Sequence, residues 1–254
     1  MEKMKNRKAQ VAIWIILAIL LVISIIMFSL LNRKPGLTNQ DILNPKAYIE
    51  KCARQSVNEA LDPILEQGGF INPENYKLYN GIKATYLCKN IGNYEPCINQ
   101  HPLLLNEIKN EIYSYIKPRI DQCFSQLKEI YEKKGYDVSL GNMTLDVSLG
   151  PSRVFVDIYK VFVITSGEEV NRYGTFKAEV ISSVYDIGSV AMEIASQQAE
   201  YCYFEYVGYM ILYPRFLIDV YSMSDSTKIY TIRDKYSNEK MNIAIRSCAI
   251  PPGI

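Results

Sequence analysis

The chain has 254 residues, with 28 lysines and arginines against 27 aspartates and glutamates, so it is close to neutral at pH 7. That balance, with no basic stripe carrying interleaved aromatics, argues against a nucleic-acid binder. A single histidine, His101, and the lack of a Gly-rich phosphate loop, GxSxG or HExxH remove the common catalytic signatures, so no enzyme and no cofactor is expected.

The first predicted element is a membrane span. Val11 to Leu31, VAIWIILAILLVISIIMFSLL, contains no charged side chain. As a helix these 21 residues reach about 31 Å, the thickness of a bilayer's hydrocarbon core. Lys3, Lys5, Arg7 and Lys8 precede the run and outnumber Arg33 and Lys34 after it, which keeps the N-terminus in the cytoplasm and sends the rest outward. A secretory signal peptide fits poorly, because its apolar region is shorter and no small-x-small cleavage pattern follows Leu31. The expected organisation is a basic leader over 1–9, a transmembrane helix over 10–31 and a polar linker over 32–44. A helical subdomain over 45–135 and an α+β subdomain over 136–254 follow.

The junction Arg7-Lys8-Ala9-Gln10-Val11 resembles the class III signal peptide of archaeal type IV pilins and archaellins. The resemblance covers about 25 residues. It implies cleavage between Ala9 and Gln10 by a prepilin-type peptidase on the cytoplasmic side, with the apolar helix retained. It also implies self-assembly or pairing with other surface proteins as the partner class, beside the lipid bilayer. Many pilins place Glu five residues into the mature chain; here that position is Trp14, which reads as an interfacial anchor. The ending from Ile245 to Ile254, with Cys248 and Pro251-Pro252-Gly253, is similar to pilin-like, lipid-anchored surface proteins of uncharacterised small-genome archaea, a likeness that brings no activity with it.

About 220 residues follow the anchor, enough for one large or two small domains with a core. Asn44-Pro45 marks an N-cap with proline at the first helical position. Apolar residues at Ile49, Cys52, Ala53, Val57, Ala60, Leu61, Ile64 and Leu65 keep a helical period, and Gly68-Gly69 ends it. Residues 70–101 are short, tyrosine-rich and punctuated, with Asn80-Gly81 as a turn signal. A second helical stretch runs from near Pro102 to Gly135, with a bend expected at Pro118. Strands follow at VSLGNMTLDVSL, RVFVDIYKVFVIT and TFKAEVISS. Asp186 to Tyr206 returns to helix, and RFLIDVYSM, TKIYTIRDK and MNIAIRSCA form a terminal meander. The fold class is therefore α+β: an N-terminal transmembrane helix, then a disulfide-stapled ectodomain of packed helices and an antiparallel sheet.

All six cysteines follow the anchor, and an even number on an exported segment reads as disulfides. Cys88 and Cys97 bracket a short loop. Cys52 and Cys123 sit on the apolar faces of two helices. Cys202 and Cys248 remain, joining a helix end to the last strand. No CxxC exists, so structural zinc is not expected.

The remaining candidates are polar. Asp157 and Glu179 on two strands can approach across a sheet or lie on a solvated face. Glu193 and Glu200, near Gln197, share a helix face with the same two readings. Asn142-Met143-Thr144 has the form of an N-glycosylation acceptor at a strand turn. Twenty tyrosines read either as an adhesive surface or as AT-biased composition. Two functions stand: a surface structural or interaction protein, and a membrane-tethered ligand-binding or hydrolytic domain.

Overall fold

The computed structural model describes residues 19–24, 44–90, 92 and 94–248. Residues 1–43 and 44–254 form two separate compact units. Of the first, 19–24 are helical; the leader at 1–9, most of the expected span at 10–31 and residues 32–43 lie outside the described residues. Among the described residues, no helix is long and apolar enough to cross a membrane.

The second unit begins as its sequence dictates. Asn44 caps α1 (Pro45–Glu66), its side-chain oxygen accepting from Lys46 and Ala47 N–H at 3.1 and 3.2 Å. Past the C-cap at Gln67, Gly68 turns left-handed at φ +76° and Gly69 N–H reaches back to Ile64 O at 2.7 Å, a closed C-terminal turn. A Cβ on Gly68 would meet Asn242 O at 2.7 Å, so the turn and the close approach both require glycine.

Helix α2 (Leu104–Lys133) carries an inward ladder of Ile108, Ile112, Ile116 and Ile120, continued by Phe124, Leu127 and Tyr131. Gly135 at φ +87° ends it, with Tyr136 N–H bonded to Tyr131 O. The two helices pack side by side, burying stripes that neither could hide alone.

Residues 70–101, which sequence left without regular structure, contain β1 (Tyr76–Tyr79), β2 (Ile82–Lys89) and the short β3 (Ile98–Asn99). Asn80 and Gly81, both at positive φ, make the two-residue hairpin turn between β1 and β2. These strands join β8 (Phe216–Ser222), β9 (Lys228–Asp234) and β10 (Lys240–Arg246) in the order β1-β2-β10-β9-β8, with β3 also on β2. The β2–β10 pair is parallel, so this sheet is mixed rather than wholly antiparallel. The reason lies in the connection: more than a hundred residues separate the two strands, ample for the crossover a parallel pair needs.

The other sheet is antiparallel and built on one long strand, β6 (Arg153–Ser166). β7 (Glu169–Ile181) lies along one edge, while β4 (Asp137–Leu140) and β5 (Thr144–Gly150) share the other in tandem. Its inner face packs on α1 and α2, with the Phe124 ring 5.2 Å from Phe176 and 6.3 Å from Phe162.

The third expected helix is shorter than its apolar period suggests. α3 (Val184–Tyr201) stops because Cys202 turns left-handed, and the chain restarts as α4 (Tyr206–Leu212), an element sequence did not separate. α3 packs on β2, β9 and β10.

Candidate interaction surface and the corners that hold it

Three disulfides close the second unit: Cys52–Cys123, Cys88–Cys97 and Cys202–Cys248, with Cα separations of 6.6, 5.4 and 5.7 Å. The first ties α1 to α2. The other two meet at one corner. There Cys248 N–H donates to Glu95 O at 2.9 Å, and the Ser247 hydroxyl accepts from Cys97 N–H while donating to the Gln198 backbone carbonyl. With its amide oriented to satisfy both ends, Gln198 accepts from the Tyr230 hydroxyl at 2.8 Å and donates to Cys202 O at 3.2 Å. Burial pushes the Tyr230 phenol up to about 12, so it stays a neutral donor. Strand β10, the end of α3 and the 88–97 loop are thereby fixed to each other.

A second corner is ionic. Arg215, at the start of β8, donates from Nε and Nη2 to Asp234 Oδ2 at 2.8 and 2.5 Å and from Nη2 to Asp186 Oδ2 at 3.0 Å. Ser183 and Ser152 complete it: the Ser183 hydroxyl donates to Asp234 at 2.5 Å and Ser152 N–H donates to Asp186 at 2.8 Å. The Asp234 side chain is 0 % exposed. Burial alone would raise its carboxyl, but the Arg215 and Ser183 hydrogen bonds outweigh that and hold it below the ordinary carboxylate value. The Arg215 guanidinium is raised, first by its hydrogen bond to Asp234. Five separated segments converge here: the β5–β6 turn, the start of α3, the start of β8, the end of β9 and, through Ser237, the β9–β10 turn.

α4 lies between these corners. None of its seven residues is buried. Ile211 and Leu212 are 75 % and 76 % exposed, and Val207, Tyr203, Tyr213 and Tyr236 stand exposed around them. Glu205 caps the helix, accepting from Gly208 N–H at 3.3 Å and from the Tyr203 hydroxyl; that hydroxyl, first, lowers its carboxyl. The Met210 sulfur accepts from Ile218 N–H at 3.2 Å, and the Tyr209 and Tyr213 rings lie 4.6 Å apart. A hollow of about 480 Å³ runs beside it, lined by Tyr185, Tyr209, Leu212, Tyr213, Arg215 and Tyr236, among others.

The other sequence candidates separate cleanly. Ala9 and Gln10 lie outside the described residues. Asn142 is exposed in the turn between β4 and β5, beside a pocket of about 490 Å³ that it shares with Lys117, Asp121 and Lys160. Asp157 and Glu179 line one shallow pocket of about 380 Å³ with Arg54, and within it each carboxylate is bonded to a cation, Asp157 to Lys177 at 3.2 Å and Glu179 to Arg153. Glu193 accepts from Gln197 at 2.5 Å on an exposed face that also carries Glu200. Sequence reasoning missed the ionic corner and α4. A lysine at an inward position of RVFVDIYKVFVIT was a visible anomaly: Lys160 is 7 % exposed, bonded to Asp121 at 2.5 Å and 5.0 Å from the centre of the Phe124 ring.

The sole histidine sits in a different pocket, of about 360 Å³, lined by Phe70, Asn75, Gln100, His101 and Glu111, among others. His101 Nδ1 lies 2.5 Å from Glu107 Oε2 and its ring 4.6 Å from Phe70. Glu111 accepts from Ile71 N–H at 3.1 Å. Among the described residues, no group of three or more His, Cys, Asp or Glu is placed to hold a metal ion. No protein-family model, curated protein or solved structure matches this chain.

Proposed function

We propose that the chain is a single-pass, membrane-anchored extracytoplasmic structural or interaction protein, in the manner of a pilin-like subunit or a surface adhesion module. Its N-terminus is cytoplasmic, the 10–31 helix is the anchor, and residues 45–254 are the exported domain. The observation that carries this reading is the set of three disulfides on a chain that also bears a charge-free run of 21 residues with a basic flank. Structural disulfides of this kind persist on the oxidising side of a membrane. The interaction half rests on α4, an apolar and tyrosine-rich surface that the domain leaves uncovered.

The test is protease added to intact cells. The ectodomain is expected to be digested while the anchor stays with membranes through alkaline extraction; protection of an epitope near Cys248 would contradict the topology. Mass spectrometry of the native N-terminus addresses the pilin-like branch, for which a chain beginning at Gln10 is expected. A chain beginning at Met1 or Glu2 leaves an uncleaved anchor.

The alternative, a membrane-tethered ligand-binding or hydrolytic domain, is favoured by the pocket that His101 lines, with Glu107 bonded to its ring. A small molecule retained by the native protein and lost in His101→Ala would support it.

A further inference from the structure

We propose that α4, with the tyrosines around it, seats in the headgroup layer of the same membrane that anchors the chain; the proposal rests on the membrane-anchored reading above. Residues 206–214, YVGYMILYP, contain no charge, and Ile211 and Leu212 project almost bare. Tyr203, Tyr213 and Tyr236 ring them with amphipathic side chains suited to the boundary between hydrocarbon and water. A short helix with a strongly apolar side and an aromatic rim lies in that layer rather than across the bilayer.

The charges around the patch are mixed, with the Glu193 carboxylate acting on Tyr209 and one cation beside Pro214. Lys235 is exposed beside the patch with its ammonium bonded to Pro214 O at 2.5 Å, a position that favours anionic headgroups. Glu205, the nearest acid in sequence, is occupied as the helix cap and by the Tyr203 hydroxyl.

Size and tether decide for lipid over a protein partner. Seven helical residues and three tyrosines fall well short of the roughly 20–30 residues a side of a standard protein interface. Lipid requires no matching surface. A linker over 32–44 extends to about 45 Å at most, so a spanning anchor would hold the domain at the bilayer, where the association is intramolecular.

The test places one fluorophore on the patch. The full chain carrying Trp14→Phe and Ile211→Trp is reconstituted into phosphatidylcholine–phosphatidylglycerol vesicles, and a parallel chain carries Trp14→Phe and Val170→Trp, an exposed site on β7. Vesicle flotation reports the anchor; emission and quenching by lipids brominated on their chains report contact. The expected result is flotation of both chains, with a blue shift and bromolipid quenching for Ile211→Trp and neither for Val170→Trp. Flotation with a solvent-like, unquenched Ile211→Trp would overturn the docking of α4 while leaving the anchor standing. A blue shift without quenching that disappears on dilution into excess vesicles would assign the patch to a second copy and overturn the lipid proposal. Failure to float would overturn the anchored reading and this inference with it.

Discussion

Replacing Arg215 by methionine keeps the length and apolar stem of the side chain but strands the carboxylate it serves. Asp234 has no solvent to fall back on, its side chain being 0 % exposed, and Arg215 supplies two of its hydrogen bonds. Removing one partner of a buried pair typically costs about 3–5 kcal/mol. For a unit of this size that corresponds to a fall of about 6–20 °C in Tm. The pH dependence gives the sign. In the wild type the Asp234 carboxyl is held below its unfolded value, so the pair's contribution is complete above that unfolded value, about pH 3.9, and is lost as pH falls through the folded one. In the variant the Arg215 bonds and charge are gone and only the Ser183 hydroxyl and the Tyr236 N–H still oppose burial, so the folded value rises relative to the wild type and the folded variant takes up the proton first as pH falls. The deficit is therefore largest at pH 7 and narrows as pH falls toward 4. Adding Asp234→Asn removes the stranded charge and should restore part of the loss, with little pH dependence left at this site. Urea unfolding of the oxidised chain in non-ionic detergent, followed by circular dichroism between pH 4 and 7, measures all three. A loss below about 1 kcal/mol, or one that is flat across this range, would refute the reasoning.

The disulfides differ in expected weight. Loop-closure entropy gives about 4 kcal/mol for the 71-residue separation of Cys52–Cys123 and about 2.5 kcal/mol for the 9-residue separation of Cys88–Cys97. Double serine variants are expected to lose stability in that order in thermal unfolding; the reverse order would mean that α1 and α2 hold together without their bridge. At the Lys160–Asp121 pair the asymmetry is between the partners: Lys160 is 7 % exposed and Asp121 56 %. Lys160→Met leaves a carboxylate that water can reach and is expected to cost about 0–1 kcal/mol, whereas Asp121→Ala leaves a buried ammonium and is expected to cost about 3 kcal/mol. Equal losses in urea titrations would show that the lysine reaches solvent without its partner.

The helices were legible because their signals are local. Asn44-Pro45, the four-residue isoleucine ladder of α2 and the glycines at 68 and 135 each act within a turn or two of the chain. The disulfide pairs followed from the same helix faces and one short loop. β2 was illegible for a physical reason: five consecutive residues, Ala84 to Cys88, are buried, since the strand lies inside the sheet with both faces covered, and the period of two is erased. Its hairpin turn at Asn80-Gly81 was visible without the strand. α4 was missed because Cys202, Tyr203 and Tyr206 extend the apolar period of α3 past its left-handed end at Cys202, and the stretch 207–214 that follows is too short to show a period of its own. The Arg215 corner gathers residues 152, 183, 186, 215 and 234, and partners so distant along the chain leave no pattern for a window to find.

Thiol accounting on sealed cells tests most directly the proposal that the disulfide-closed domain is exported. Cells expressing the full chain are treated with a membrane-impermeant maleimide polymer, with or without prior exposure to an impermeant reductant, and the protein's mass is read. No labelling before reduction and up to six additions after it, without lysis, is the predicted result. Six thiols that react without any reductant, and only once the cells are broken, would place residues 52–248 on the reducing side and contradict the account.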